Sequence, residues 1–322
     1  MKDAVKNSDA SNDQQEGSWD WFWFSAQEVA PVSFIRGLLS LISLIYFVSA
    51  WTDTSFWYVN GGPLSVDRVS EFLRTGGLEG AGRWIISPLF LTESSWVYHL
   101  YLVAAIATSL VVFCGRGGRV ASFLLWFLLV GWANRTMLLS GLAETLLSLG
   151  LFAAAIAPSG RTWEGLVAKR VNAAEKIRGS LARHWTAGFA ERLLATQITV
   201  IGLATWVTML GGRVWFNGLG AYALAAPVQD RTINWTTSTS WLVRTPVHEM
   251  LTHWMVFALP LGFLLAWLPR TSQVGKLVLF GWCGAVALLG SHWLYAMTFA
   301  VMVVAIRPLS QRHRRMDGVP TA

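Results

Sequence analysis

This chain has few charged residues for its length. Asp, Glu, Lys and Arg make up only 13% of the 322 residues, whereas apolar residues make up 54%. A soluble domain of this size with that balance would expose far too much apolar surface to water. The composition therefore excludes a soluble globular protein and requires that lipid covers much of the chain.

The short motifs that mark common catalytic and metal sites are also missing. The sequence contains no P-loop, no Rossmann glycine run and no Gly-x-Ser-x-Gly. Its two cysteines, Cys114 and Cys283, belong to no Cys-x-x-Cys or metal-ligand spacing, and we interpret them as apolar filler. His248 and His253 are five residues apart, not the four of a helical zinc pair, so no metal site is predicted.

Eight apolar stretches run through the chain. Several approach the roughly 20 apolar residues that a helix needs to cross a bilayer core of about 30 Å. They predict an all-α, polytopic bundle of about eight transmembrane helices with short interfacial amphipathic helices. The third and fourth stretches, and likewise the last two, lie so close together that a re-entrant hairpin is an alternative for each pair. The stretches are Val32–Trp51, Trp96–Cys114, Ala121–Thr136, Leu139–Ala157, Leu193–Leu210, Leu251–Leu268, Leu277–Leu289 and Trp293–Ile306.

Lysine and arginine residues are distributed unevenly between the loops. If the N-terminus is cytoplasmic and all eight stretches cross, seventeen fall on the cytoplasmic side and seven on the outer side, with Arg36 inside the first span. The positive-inside rule predicts such an excess. We therefore expect an inner (plasma) membrane protein with both termini in the cytoplasm. Anionic lipids are the expected partners of its cytoplasmic basic loops, and no nucleic-acid motif accompanies the net charge of +7.

The chain is predicted to have three parts: a disordered N-terminus over residues 1–18, a transmembrane domain over 19–310 and a basic C-terminal tail over 311–322. An aromatic cluster at residues 19–24 is typical of an interfacial anchor. Amphipathic surface helices are expected in the first outer loop, from Val66 to Leu73, and in the basic segment between the fourth and fifth spans. Two long, aromatic-rich outer loops are compatible either with a lid over a cavity or with further interfacial belts.

Polar residues inside the spans are expensive, and each is a candidate functional residue. We expect Arg135 and Glu144 to face each other across a tight hairpin as a buried ion pair, a role that competes with ligand binding or catalysis. Arg36 is expected to reach the cytoplasmic interface, and Gln197 to hydrogen bond across helices. The weak candidates for catalysis are Glu144, His248 and His292, since each offers a titratable side chain.

The chain resembles the horizontally transferred transmembrane domain family, which includes the membrane portion of vitamin K-dependent gamma-carboxylase. The resemblance covers about Pro31 to Pro308, nearly the whole ordered chain, and its markers are moderately specific together. They are Arg36-Gly37, Trp57-Tyr58 with Gly61-Gly62-Pro63, Asn134-Arg135, Arg192 with Gln197, and Trp215-Phe216-Asn217-Gly218 with Ala221.

The resemblance implies a membrane scaffold with its site on the outer face. The related carboxylases use a lysine at the end of the fifth span as the base that deprotonates reduced vitamin K. This chain has Met209 and Leu210 there, and Arg213 cannot replace the lysine because a guanidinium group stays protonated. The implied relative is instead a bacterial protein similar to the membrane component of the sporulation-delaying toxin system. The predicted binding pocket comprises Arg135, Glu144, Gln197, Trp215, Asn217 and His248.

Three functions are compatible with these observations. The first is a non-carboxylating member of the family that assists a secreted or membrane protein partner through an outer-face pocket. The second is a membrane enzyme with a quinone as cofactor, which needs a proton acceptor close to the pocket. The third is a small-solute or peptide transporter, which needs a water-accessible path lined by broken helices.

Overall fold

The chain folds into α-helices that are joined mainly by turns. The computed structural model describes residues 18–59, 61–75, 87–137, 141–158, 183–225 and 246–308. Within these ranges the only strands have two residues each, and they pair antiparallel, with Gln27 opposite His184. The elements are α1 (Ser18–Phe24), β1 (Gln27–Glu28), α2 (Val29–Ser49), α3 (Thr54–Tyr58), α4 (Val66–Thr75), a 3-10 helix (Pro88–Leu91), α5 (Ser95–Phe113), α6 (Gly118–Arg135), α7 (Leu142–Ile156), β2 (Arg183–His184), α8 (Trp185–Gly211), α9 (Arg213–Phe216), α10 (Gly220–Ala225), α11 (Val247–Trp267), α12 (Ser272–Gly290) and α13 (Trp293–Val303).

Five helices are long and apolar enough to cross a membrane. They are α2, α5, α8, α11 and α12, and they contain between 19 and 27 residues. A helix of about 20 residues rises about 30 Å, the thickness of the hydrocarbon core. Their exposed side chains include large apolar groups such as Trp254, Phe257 and Leu264 of α11, which suit contact with lipid. The prediction of an all-α bundle with membrane-spanning helices is confirmed.

The other three predicted spans are also helical, but they are shorter or less apolar. Helix α6 has 18 residues and carries Arg119 and Arg135 near its two ends. Helix α7 has 15 residues, and it ends before Ala157, whose extended backbone is typical of a residue that precedes proline. Helix α13 has 11 residues, a rise of only about 16 Å. Eight crossings therefore stay a prediction.

Arg36, near the start of α2, is buried and caps the C-terminal end of α7. Its side chain is 4% exposed. Its Nε and Nη2 atoms donate to the Ala154 carbonyl at 3.1 and 2.7 Å, and Nη2 also donates to the Ala157 carbonyl at 2.7 Å. The last carbonyls of a helix lack partners within it. These carbonyls hold the guanidinium inside the bundle, and the predicted position of Arg36 at the cytoplasmic interface stays a prediction.

Other basic side chains lie at the same end of the bundle and also meet oxygen atoms. Arg119 donates to the Thr186 hydroxyl at 2.8 Å. The Nε atom of Arg307 lies 2.7 Å from a carboxylate oxygen of Glu191, which is itself almost fully buried. We call this region the basic end, and its basic residues are Arg36, Arg119, Arg192, Lys276 and Arg307.

The N-terminal segment packs on the start of α8 at the basic end. Phe24 stacks on Phe189 with 5.9 Å between ring centroids. Arg192 donates to the Ser25 side chain, and Gly188 allows the approach, since a Cβ there would collide with the Ser25 carbonyl. The aromatic cluster is therefore bound to the bundle, while its predicted position among lipid headgroups stays a prediction.

The predictions for segments along the chain have different outcomes. The amphipathic helix of the first outer loop is confirmed as α4, Val66–Thr75. The predicted disorder of the N-terminus falls on residues 1–17, outside the described ranges, and Ser18 begins α1. Residues 159–182, which hold most of the predicted basic surface helix, residues 226–245 of the second outer loop and the tail over 311–322 also lie outside them.

Candidate functional site

Arg135, the last residue of α6, is buried at the opposite end of the bundle from the basic end. Its side chain is 1% exposed. The Nε atom donates to the Tyr98 hydroxyl oxygen at 2.8 Å, and Nη2 donates to the Leu64 carbonyl at 2.6 Å. The Tyr98 hydroxyl in turn donates to the Leu89 carbonyl at 3.0 Å. The guanidinium group therefore joins the first outer loop, the start of α5 and the end of α6.

Aromatic rings surround this guanidinium group. Its Cζ atom lies 5.1, 5.2 and 5.6 Å from the ring centroids of Tyr58, Phe90 and Tyr98. These distances are within the range of cation–π attraction. Tyr58 also stacks on Tyr98 and meets Trp132 edge to face, at centroid distances of 5.8 and 5.5 Å. We call this region the aromatic end, defined by Tyr58, Phe90, Tyr98, Trp132 and Arg135.

The hydrogen bonds of Arg135 leave part of its donor capacity unused. A guanidinium group carries five N–H donors, and the buried Nη1 atom has no hydrogen-bond partner. Among the described residues, no carboxylate oxygen lies within 4 Å of Arg135. Buried charges in proteins are normally paired. Arg135 is therefore a buried cation that still has donors for an acceptor group.

The turn after α3 presents the Leu64 carbonyl to Arg135, and two glycines shape it. Gly61 has φ +83°, a left-handed conformation that side chains disfavour. A Cβ on Gly62 would lie 2.8 Å from the carbonyl oxygens of Phe56 and Trp57. The Leu64 N–H donates to the Trp57 carbonyl at 2.9 Å, which closes the turn. The pair Gly61-Gly62 thus sets the position of an Arg135 ligand.

Glu144 does not form the predicted ion pair with Arg135. Its Oε2 atom accepts from the Gly141 N–H at 2.8 Å and so caps the start of α7. The positive end of the helix dipole also favours a carboxylate in the first turn. The Tyr46 hydroxyl lies beside both Glu144 and Thr136. Glu144 therefore lies near the aromatic end, but its carboxylate stabilises the start of its own helix, α7.

Glu93 and Tyr58 also lie at this end. A carboxylate oxygen of Glu93 accepts from the Val66 N–H at 2.6 Å, at the start of α4. Burial raises the pKa of the Tyr58 phenol to about 12, although the nearby Arg135 cation opposes the shift. Tyr58 is therefore a neutral phenol at physiological pH, and it does not neutralise Arg135.

Thr252 of α11 fastens α9 and α10 to the bundle. The side chain is fully buried, and its hydroxyl accepts from the Ala221 N–H at 2.9 Å. The same hydroxyl lies 2.9 Å from the Gly218 carbonyl and 2.8 Å from the His248 carbonyl. One hydroxyl group therefore connects the turn between α9 and α10 with the first turns of α11.

The residues that the sequence predicted as one pocket belong to two sets of contacts, and their common pocket stays a prediction. Arg135 and Glu144 lie at or beside the aromatic end. Trp215, which packs over Gly220, and the buried His248 belong to the group of helices that Thr252 fastens together. The remaining predicted residues are Gln197, half-buried in α8 with an unbonded Oε1 atom, Asn217, exposed at the end of α9, and His292, exposed before α13.

Sequence reasoning missed the rings and the carbonyl that hold Arg135. Tyr58 and Gly61-Gly62 were noted only as family markers, and nothing in the sequence singled out Phe90 or Tyr98. Tyr98 opens an apolar helix, where an aromatic residue is expected at any membrane interface. Only the fold shows that its hydroxyl faces a guanidinium group.

The positions that the resemblance links to carboxylase chemistry are apolar. Met209 is buried at the end of α8, and Leu210 is exposed beside it. In the described part of the chain, no three His, Cys, Asp or Glu side chains group as metal ligands would. Comparisons with models of protein families, with curated proteins and with solved structures found no match to this chain.

Proposed function

We propose that this chain is a multi-pass integral membrane protein of the horizontally transferred transmembrane domain family that assists a secreted or membrane protein partner. The observation that carries the proposal is Arg135, which is 1% exposed and keeps an unbonded Nη1 atom. An ionisable residue at such a position in a membrane protein is a functional-site hypothesis by default. The aromatic end is the proposed partner site.

In this proposal the basic end faces the cytoplasm and the aromatic end faces outwards. The gathering of Arg36, Arg119, Lys276 and Arg307 at one end of the bundle supports this orientation, because the positive-inside rule keeps such residues on the cytoplasmic side. Arg135 then lies on the side where a secreted partner is met.

We further propose that the protein does not carboxylate its partner. Deprotonation of a reduced quinone needs a base, and the side chains of Met209 and Leu210 offer no titratable group. The family markers Gly61-Gly62 and Arg135 support the resemblance in a different way. Gly61 and Gly62 lie in the turn whose Leu64 carbonyl accepts from Arg135, so the markers belong to one structural unit.

Partner capture tests the function. The full chain, purified from its native membrane after chemical cross-linking, would be analysed by mass spectrometry for peptides, lipids and quinones. We expect a secreted or membrane polypeptide that is recovered with the wild type and lost with Arg135→Gln, but retained with Arg116→Gln, an exposed arginine before α6. Recovery of a stoichiometric quinone without a polypeptide would contradict the proposal and favour a quinone-linked enzyme.

Thiol labelling tests the orientation. Cys114 is exposed at the end of α5, and Cys283 is buried in α12, so the chain has one accessible native reporter. A membrane-impermeant maleimide should label Cys114 only after the cells are opened. Thr52→Cys, an exposed position after α2, should be labelled in intact cells when Cys114 is replaced by Ser. The opposite pattern would reverse the proposed orientation.

A further inference from the structure

Among the described residues, Arg135 has no anionic hydrogen-bond partner, and this indicates the chemistry of the group it can receive. Its two hydrogen-bond acceptors, the Tyr98 hydroxyl and the Leu64 carbonyl, are both neutral. Neutral oxygens satisfy N–H donors, but they do not cancel a unit charge. The surrounding rings attract the cation and offset part of its desolvation. The nearby carboxylates of Glu93 and Glu144 accept from backbone N–H groups and not from Arg135, so their charges act on it only from a distance.

Building on the proposed function, we infer that the group received by Arg135 is a carboxylate, borne by the partner or by a small ligand. Glu93 and Glu144 already place negative charge near the single guanidinium group of the aromatic end, so a phosphate dianion is repelled more strongly than a monoanion. A carboxylate is planar like the guanidinium group, and its bonds to guanidinium are short and charge-assisted.

The position of the donors defines how the carboxylate binds. Nη1 has less than 1 Å² of accessible surface, so the group reaches it only when a neighbouring segment moves. The Leu64 carbonyl is the neutral acceptor on the adjacent atom Nη2, and it lies in the turn that begins at the exposed Gly61. A carboxylate that replaces this carbonyl contacts both terminal nitrogen atoms. Arg135→Lys would keep the charge but lose this two-nitrogen arrangement.

Acetate serves as the probe of this inference. The purified full chain in detergent would be heated in sodium acetate or in sodium chloride at equal ionic strength and pH 7.5. Ligand binding to the folded state raises the unfolding midpoint. We expect acetate to raise the midpoint of the wild type by about 2–4 °C more than that of Arg135→Gln. Arg135→Lys should show a smaller acetate effect than the wild type.

Arg36→Gln is the matched control. Arg36 is buried like Arg135, but it donates to the carbonyls of α7 and lies at the other end of the bundle. This variant should lose stability in both salts and keep the full acetate effect. An equal acetate effect in the wild type and Arg135→Gln would overturn the carboxylate inference, since it would reflect a general salt effect.

A second variant keeps the inference testable if Arg135→Gln fails to fold. Tyr98→Phe removes one neutral acceptor and leaves the charge, so we expect a larger acetate effect than in the wild type, and a smaller one would overturn the inference. The result also separates the two proposals. If partner capture failed while the acetate effect persisted, only the proposed function would be contradicted. A polypeptide captured through Arg135 without any acetate effect would sink the carboxylate inference alone.

Discussion

Both ends of the bundle bury an arginine, and the two side chains differ in what surrounds them. Arg36 at the basic end is 4% exposed and donates to carbonyls at the end of α7. Arg135 at the aromatic end is 1% exposed, faces three rings and has two neutral acceptors. The C-terminus of a helix carries a partial negative charge, and an aromatic cluster provides less negative charge than that.

The role of a buried charge in a membrane bundle can be inferred from its hydrogen-bond partners. Arg36 completes the backbone hydrogen bonds of a neighbouring helix, so its role is explained by the fold alone. The described residues account for only part of the donors of Arg135, and the remaining donors are the basis of the proposed site. The same residue type is therefore structural at one end and a site hypothesis at the other.

The largest expected effect is that of Arg36→Gln. The variant loses the charge-assisted bonds to the Ala154 and Ala157 carbonyls and leaves the end of α7 uncapped inside the bundle. We expect a loss of about 3 kcal/mol in the free energy of unfolding. Denaturant unfolding in detergent measures it, with the exposed Arg116→Gln as control. If Arg36→Gln destabilised the protein no more than the control does, Arg36 would have no structural role. The contrast between Arg36 and Arg135 would then not hold.

Arg135→Gln should cost less, about 1–2 kcal/mol. The change removes two hydrogen bonds and the attraction of three rings, but it also removes an uncompensated buried charge. The same unfolding measurement on both variants gives the ranking directly. If Arg135→Gln proved more destabilising than Arg36→Gln, Arg135 would be the main structural clamp and not a site.

A smaller effect is expected for Thr252→Val, which removes a neutral hydroxyl beside α9 and α10. The buried Ala221 N–H loses its acceptor, at a cost of about 1 kcal/mol. Thr252→Ser keeps the hydroxyl and is the control. Limited proteolysis after α8, together with unfolding, would detect the loosened segment. Equal protease sensitivity in Val and Ser variants would show that the hydroxyl does not fasten it.

The smallest effect concerns the pH dependence contributed by Tyr58. Burial raises the pKa of its phenol from 10 to about 12, so the folded state holds the proton more tightly than the unfolded state. The stability from this group is present below pH 10 and is lost as pH rises towards 12. The midpoint of the wild type should therefore fall relative to that of Tyr58→Phe over this interval. A constant difference between the two would contradict the raised pKa.

The helices were predictable because lipid exposure imposes a strong compositional pattern. Hydropathy alone locates α2, α5, α8, α11 and α12. It overestimates the length of α13, since Ala305 and Ile306 are apolar and buried although the helix ends at Val303. Buried residues and helical residues of a span are both apolar, so the sequence does not distinguish them. The ends of short spans can be located only in the structure.

The site was predictable only in part. Arg135 and Glu144 stand out because ionisable residues are rare in apolar stretches. Their pairing was predicted wrongly, because the local bond from Glu144 to the Gly141 N–H satisfies the carboxylate within its own helix. The ligands of Arg135 come from Leu64 and Tyr98, which are 71 and 37 residues distant along the chain. No local pattern reports contacts at that separation.

The contact between Ser25 and Arg192 has a consequence for how the chain is made. The two residues are 167 positions apart, and a ribosome adds about 5–20 residues per second. The N-terminal segment therefore waits roughly 8–30 s for its partner on α8 to be synthesised. During that interval four of the predicted spans enter the membrane. The segment around Ser25 thus reaches its final place only after the next four predicted spans have been synthesised.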